Sequence, residues 1–236
     1  MPETSELVPG QRRPVEDDRH ENCVPVQEHQ VILAALENIT KDRDAWRHAA
    51  THDDLTGLLN QRAWEDEVNL RLESGESLAV LAFDIDHFKL VNDRYGHAYG
   101  DQLLVYWADY MRLRFRREDD MLTARRSGDE FSAAISLELP DSDFADREAD
   151  LVTRLLNVAH YAQDCVREFE SLLPAELREL GVSISIGLAA STPFNQRSLA
   201  DLLASADGAM YQNKRETSLL LEKAPALRPL ALELLQ

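Results

Sequence analysis

Basic residues, cysteines and long apolar runs are all scarce in this sequence of 236 residues. It has 25 Lys and Arg against 43 Asp and Glu, and the net charge of −18 argues against a nucleic-acid surface, which needs cations for the phosphates. No stretch approaches the roughly 18 apolar residues of a membrane span. The polar first residues lack the apolar core of a signal peptide. We therefore expect a cytoplasmic protein with no membrane span and no nucleic-acid partner.

The two cysteines, Cys23 and Cys165, fit no metal-ligand spacing and are too few for a disulfide framework, so we interpret both as reduced thiols. The excess of carboxylates also repels anionic ligands. A phosphate-bearing ligand would need local cations, and a metal ion, to reverse the electrostatic field at its site.

The N-terminal region predicts two segments. Residues 1–25 mix prolines with charges, which is typical of disorder. Residues 26–51 predict a helix, and its apolar side chains recur at steps that fit a heptad seam: Ile32, Leu36, Ile39, Trp46 and Ala50. This helix either packs on its own domain or forms a parallel dimerising stalk, and we favour the stalk. A regulatory protein could also bind it between Ile32 and Trp46.

The rest of the chain mixes strand and helix patterns. Residues 77–83 form the continuous apolar run of a buried central strand. Residues 121–126 and 131–137 predict a hairpin, and 101–117 predict an amphipathic helix. Helices and hairpin are segregated, so we predict an α+β fold. The tail, 217–236, is rich in leucine and broken by prolines.

Two acidic clusters suggest a metal site. Asp84 and Asp86 end the apolar strand, Lys89 follows on a short helix, and Asp129 and Glu130 lie in the hairpin turn. Carboxylates are the ligands that Mg²⁺ prefers, and the end of a buried strand holds them rigidly. Acidic residues also cap helices and start turns. For the two clusters together, we favour the metal interpretation.

A third polar segment lies between residues 92 and 101. Asn92 and Asp101 offer donors and acceptors that can pair with the edge of a base, and a carboxylate can accept both N–H groups of guanine. Asp101 is equally well explained as the cap of the helix that follows it.

Seven motifs occur in the order and approximate spacing of the GGDEF family of diguanylate cyclases, and the sequence therefore resembles that family over about residues 50–216. They are DDLTGLLN (53–60), FDIDHFK (83–89), VND (91–93), GHAYGD (96–101), SGDEF (127–131), SIG (185–187) and ADGAMYQNK (206–214). The resemblance implies a GGDEF domain at 52–216, behind a short stalk helix. Its fold would be like that of nucleotidyl cyclases and polymerase palms, with a mostly antiparallel central sheet flanked by helices.

The resemblance also implies an activity, the condensation of two GTP into cyclic di-GMP with release of two pyrophosphates. Two Mg²⁺ or Mn²⁺ ions would act in each site, and two domains would face each other in a homodimer. The residues it points to are Asp84, the Ile85 carbonyl and Asp129 as metal ligands, Asn92 and Asp101 as guanine contacts, Lys89, Lys214, Phe88 and Arg125 as further GTP contacts, and Glu130 as the group that activates the attacking hydroxyl.

The sequence departs from the family pattern at three places, and one of them is Ser218, where the family has an arginine four residues after the lysine. The other two lie at or before the signature turn. Ser127 replaces the first glycine of the signature turn, and we expect activity to survive this change. The candidate product-inhibition pair, Arg117 and Asp120, lies one residue too far from the turn, and a β-bulge would restore its position. The same shift makes Arg125 and Arg126 ambiguous as the basic residue before the turn. A degenerate domain that binds nucleotide without turnover is the alternative.

Overall fold

The computed structural model describes residues 26–115, 121–137, 144–193 and 195–223. The chain divides into two compact units, residues 1–46 and 47–236. Within the described residues, no helix combines the length and the apolar composition needed to cross a bilayer. Cys23, Arg117 and Asp120 lie outside the described residues, as does the tail beyond Lys223, so what was expected of them stays a prediction.

The described part of the first unit is a helix. Helix α1 (Val26–Thr51) begins and ends close to the predicted bounds. Three of its predicted seam side chains are exposed, with Leu36 at 52%, Ile39 at 63% and Trp46 at 76%. Because apolar side chains gain free energy by leaving water, an exposed stripe of this kind is a surface suited to a partner.

The second unit alternates strands and helices. After α1 come β1 (Leu59–Asn60), α2 (Gln61–Glu73), β2 (Leu78–Asp86), α3 (Phe88–Tyr95), α4 (His97–Phe115), β3 (Met121–Ser127), β4 (Glu130–Ser136), α5 (Phe144–Leu172), α6 (Ala175–Glu179), β5 (Ser183–Ser191) and α7 (Leu199–Lys223). The five strands lie in the order β1-β3-β4-β2-β5, and every pair is antiparallel except β1 with β3. This confirms the predicted α+β fold, a mostly antiparallel sheet flanked by helices behind an N-terminal helix.

Strand β2 explains why its sequence is apolar without alternation. Its side chains point alternately to the two faces of the sheet, and both faces are covered. Ala79, Leu81, Phe83 and Ile85 join the core formed with α4 and α5. The intervening residues Leu78, Val80 and Ala82 join a second core formed with α2 and α7. The predicted face of α4 is confirmed too, since Leu104, Trp107 and Met111 are buried.

Three element bounds differ from the sequence-based expectation. Strand β2 continues past Phe83 to Asp86, because β5 pairs with it along its whole length. Helix α4 begins at His97 rather than at residue 101, so Asp101 lies inside the helix and its interpretation as the cap was wrong. Helix α7 runs on to Lys223, beyond the predicted end at 215.

Helix α7 packs unusually close to β5, and Gly187 makes this possible. A Cβ atom at this position would lie 2.0 Å from the Ala206 carbonyl oxygen and 2.6 Å from the Met210 nitrogen. Both are backbone atoms, so a larger side chain can be accommodated only by moving the helix. The Asn213 side chain adds a hydrogen bond, donating from Nδ2 to the Ile186 carbonyl over 3.1 Å.

We predict that Gly187→Ala lowers the free energy of unfolding by about 1–3 kcal/mol, since the new methyl group overlaps the α7 backbone. Urea denaturation measures this change. Gly208→Ala is the matched control, because a Cβ at Gly208 has no atom within 4 Å. In mid-helix that substitution should stabilise by roughly 0.5–1 kcal/mol. Equal stability of the two variants would contradict the close approach.

Candidate functional site

The two acidic clusters of the sequence meet at one end of the sheet. Asp84 near the end of β2 lies opposite Glu130, the first residue of β4. The Ile85 N–H donates to the Asp129 carbonyl over 3.3 Å, which ties the strand end to the hairpin turn. Strand register therefore brings together the segments that the sequence suggested as two halves of one site.

A buried aromatic side chain directly after the hairpin turn anchors the turn to the core. Phe131 is fully buried, and its ring packs edge-on against Trp107 with centroids 6.5 Å apart. Gly128 has φ of 46°, a left-handed conformation that favours glycine. Ser127 needs no such freedom, because His87 is the only non-glycine residue with positive φ in the described part of the chain. Its hydroxyl donates to Glu130 Oε2 over 3.0 Å.

Asp129 lies close enough to Asp84 to be affected by its charge. Burial raises the pKa of Asp129, and the negative charge of Asp84 raises it further. A cation between such carboxylates relieves the repulsion, and their oxygens suit a hard ion such as Mg²⁺. No cluster of three or more acidic, His or Cys side chains that could hold a metal occurs among the described residues. A metal here would therefore also use backbone and substrate oxygens, as the expected Ile85 carbonyl would provide.

Lys214, on α7, lies beside these carboxylates. Its Nζ forms an ion pair with Asp84 and lies 3.1 Å from Asp86 Oδ1. Burial lowers the pKa of Lys214, but the hydrogen bond to Asp84 and the charges of both carboxylates outweigh burial and raise it above its usual value. The lysine therefore supplies a positive charge at the site despite the acidic composition of the chain.

Asp86 is held by strand β5. Its Oδ2 accepts hydrogen bonds from the hydroxyls of Ser183, over 2.8 Å, and Ser185, over 2.7 Å. The two serines are two residues apart on one strand, so their side chains point to the same face. Neither serine was predicted from the sequence as part of the site, although Ser185 belongs to one of the seven motifs.

The two arginines before the turn have different partners. Arg125 donates to the Gly128 carbonyl over 2.9 Å and reaches both carboxylate oxygens of Asp53 at 3.2 Å. Arg126 forms a two-pronged ion pair with Asp207 on α7, at 2.8 and 3.2 Å. Each arginine therefore ties the turn to another segment. The strand register shifts between Arg125 and Ser127, which is a β-bulge or a similar irregularity. Whether it restores the position of Arg117 and Asp120 stays a prediction.

Asp53 belongs to a turn that the first motif builds. Its Oδ1 accepts hydrogen bonds from the Thr56 backbone N–H, over 2.9 Å, and from the Thr56 hydroxyl, over 2.7 Å. Burial raises the pKa of Asp53, but these bonds and the contact with Arg125 outweigh it, so the pKa lies below its usual value. Asp53 thus stays charged and keeps Arg125 beside the hairpin turn.

The segment suggested for base recognition lies on α3 and α4. The Asn92 Oδ1 atom is buried and has no hydrogen-bond partner within the described part of the chain. Its place depends on Gly100, where a Cβ would lie 2.0 Å from Asn92 Oδ1 and 3.1 Å from the Phe88 ring. Asp101 and Lys89 are exposed on the same two helices. An unpaired buried acceptor is costly, so this atom is suited to a ligand donor.

Comparison with known proteins agrees with this geometry. A family model described as diguanylate cyclase, GGDEF domain, matches residues 50–218. The chain is 37% identical over 173 residues to diguanylate cyclase TpbB of Pseudomonas aeruginosa, covering 72% of this chain and 36% of that protein. It is 32% identical over 217 residues to an uncharacterized signaling protein of Caulobacter vibrioides, covering 88% and 25%. The chain thus spans about a quarter to a third of the length of these relatives.

Solved structures give the same result. The coiled coil and GGDEF domain of DgcB from Caulobacter crescentus, in complex with c-di-GMP, matches with a TM-score of 0.64 and 26% identity over 80% of this chain and 94% of that chain. Diguanylate cyclase SiaD from Pseudomonas aeruginosa, in complex with its activator SiaC, matches with a TM-score of 0.51 and 25% identity over 81% and 68%. The resemblance read from the seven motifs is confirmed, and the chain belongs to the GGDEF diguanylate cyclase family.

Proposed function

We propose that this protein is an active diguanylate cyclase that condenses two GTP into cyclic di-GMP and releases two pyrophosphates. The observation that supports this most strongly is the meeting of Asp84, Asp129 and Lys214 at one end of the sheet, beside a signature turn whose Glu130 is retained. Family membership supports the substrate. A divalent cation would be held by Asp84, Asp129 and the Ile85 carbonyl, and when bound it supplies charge neutralisation for the triphosphate.

The protein's own residues then divide the remaining tasks. Asn92 and Asp101 bind the guanine, while Phe88 packs beside Asn92, and Lys89 and Lys214 contact the phosphates. The 3′-oxygen of one GTP attacks the α-phosphorus of the other, the bond to pyrophosphate breaks, and Glu130 accepts the proton of the 3′-hydroxyl. The 3′-hydroxyl of the second nucleotide then attacks the α-phosphorus of the first, the second pyrophosphate leaves, and the ring closes. Arg125 supports the turn through Asp53 and Gly128.

Each step needs two GTP molecules face to face, so we propose a homodimer joined through α1. The exposed stripe on α1 includes residues of the predicted heptad seam, Leu36, Ile39 and Trp46. A paired stalk raises the effective concentration of one domain at the other. The same helix is where we place a regulatory protein, by analogy with SiaD, whose structure contains its activator SiaC.

We predict that purified protein with GTP and Mg²⁺ forms cyclic di-GMP, and that EDTA abolishes the reaction. Glu130→Gln and Asp129→Asn should each reduce kcat by at least about 100-fold, because they remove the base and a metal ligand. Glu73→Gln, an exposed change on α2, is the control and should retain activity. Product formation is measured by chromatography of the nucleotides.

A dimeric preparation that binds GTP tightly without forming product would contradict this proposal. It would instead identify the chain as the degenerate nucleotide-binding module that the sequence left as the alternative. Activity of Glu130→Gln as high as that of the control would contradict only the role of Glu130 as the base.

We predict that Asn92→Ala weakens GTP binding by roughly tenfold and reduces discrimination against ATP, since a buried hydrogen bond to the base is lost. Isothermal titration calorimetry with GTP and ATP measures both effects. Asp93→Ala, an exposed change at the next position of α3, should leave both affinities unchanged. Equal discrimination in Asn92→Ala and wild type would place guanine recognition elsewhere.

We predict that Ile39→Asp weakens dimerisation and lowers specific activity at low protein concentration, with recovery as the concentration rises. Val31→Asp is the matched control, because Val31 is equally apolar and 69% exposed but lies off the heptad seam. Analytical ultracentrifugation and the turnover assay report the two effects. Removal of residues 1–45 with no change in activity at any concentration would contradict both the stalk dimer and regulation through α1.

A further inference from the structure

Asp86 has an environment that the proposed reaction does not explain. Of the charged residues that the structure describes, it alone is buried, with 8% of the whole residue exposed. A buried carboxylate is unfavourable unless it is paired and hydrogen-bonded. Asp86 is both, since two serine hydroxyls donate to Oδ2 and the Lys214 ammonium faces Oδ1.

We propose that Asp86 is a positioning residue that holds Lys214 where the triphosphate of GTP binds, and that it is not a metal ligand. The inference rests on the proposed function, because it concerns the same site. It adds a residue, and a pair of supporting serines, whose role lies one contact away from the substrate.

The two carboxylates that share Lys214 differ in how they are held. Asp84 is less deeply buried and neighbours the hairpin turn, and it is the one proposed to bind the cation. Asp86 has one oxygen occupied by Ser183 and Ser185, which leaves Oδ1 toward the lysine. If Asp84 binds the proposed divalent ion, Lys214 still has Asp86 as its ion-pair partner.

This arrangement gives a flexible side chain a defined position. A lysine has a long stem with many rotamers, and its ammonium has three hydrogen-bond donors. An ion pair with Asp86 over 3.1 Å holds the ammonium in place and leaves donors for phosphate oxygens. Lys214 is 37% exposed while the Asp86 side chain is 12% exposed, so the ammonium lies at the boundary between the buried carboxylate and the open site.

The position of Asp86 is also fixed through the backbone. It pairs with Ser183 across β2 and β5, and Asp84 pairs with Ser185, so the strand pairing sets both the carboxylates and the hydroxyls. The close approach at Gly187 and the Asn213 hydrogen bond then fix α7, which bears Lys214, against the same strand. Strand β5 therefore fixes the positions of both the lysine and its carboxylate partner.

The test measures binding of 3′-deoxy-GTP, which lacks the attacking hydroxyl, and of GMP, to the full chain with Mg²⁺. We expect Asp86→Asn to weaken 3′-deoxy-GTP binding by about tenfold and GMP binding by less than about twofold. Loss of a negative charge by itself would strengthen binding to an anion, so weaker binding is the distinctive result. Asp66→Asn on α2 makes the same change in charge away from the site and should bind like wild type.

A double-mutant cycle tests whether Asp86 acts through Lys214. Lys214→Met should weaken 3′-deoxy-GTP binding at least as much as Asp86→Asn, and the double variant should be no weaker than Lys214→Met. Ser183→Ala combined with Ser185→Ala should give a smaller loss in the same direction. These serine variants decide the question if thermal melting shows that Asp86→Asn does not fold.

Two results would overturn the inference. One is unchanged or tighter 3′-deoxy-GTP binding by the Asp86 variant, or by the serine variant if the first does not fold. The other is a loss that adds fully to that of Lys214→Met, as expected of a metal ligand. Failure of the wild-type chain to bind 3′-deoxy-GTP at all would contradict the proposed function, and this inference with it.

Discussion

The pairing of β2 with both β4 and β5 is the constraint on which the site depends. Because β2 is hydrogen-bonded on both edges and covered on both faces, its last residues cannot shift independently of the neighbouring strands. Asp84 is fixed against the signature turn through β4, and Asp86 against two serines through β5. The apolar sequence of β2 therefore serves the site as well as the core, because the buried strand fixes the positions of the two carboxylates at its end.

The high negative charge of the protein makes the few cationic side chains near the turn important. A chain with net charge −18 would bind the triphosphate of the proposed reaction against its own electrostatic field. Near the turn, Arg125 and Arg126 are committed to Asp53 and Asp207. Lys214 is shared between Asp84, the proposed ligand of the divalent ion, and Asp86. In the proposed reaction its ammonium turns from Asp84 toward a phosphate while it stays paired with Asp86. The two arginines therefore stabilise the structure around the turn, whereas the proposed task of the lysine is to contact the substrate.

The serine in the signature turn fits the same framework. The turn needs left-handed backbone at Gly128, and that glycine is retained, whereas Ser127 adopts an ordinary conformation and donates a hydrogen bond to Glu130. The Phe131 ring is fully buried and anchors the end of the turn in the core. The departure from the family pattern therefore falls at a position where a small polar side chain is accommodated.

The sequence by itself determined the fold class, the central strand, the hairpin and the candidate carboxylates, because apolar runs, turn residues and motif order are local signals. It could not predict that Ser183 and Ser185 donate hydrogen bonds to Asp86, nor that Arg125 and Arg126 bind different carboxylates. Those contacts join residues about 70 to 100 positions apart. It also left Asp101 open between a cap and a guanine contact, and the start of α4 at His97 excludes the cap. Strand register and the approach of α7 to Gly187 are tertiary facts: they follow from how whole elements pack, which no short stretch of sequence encodes.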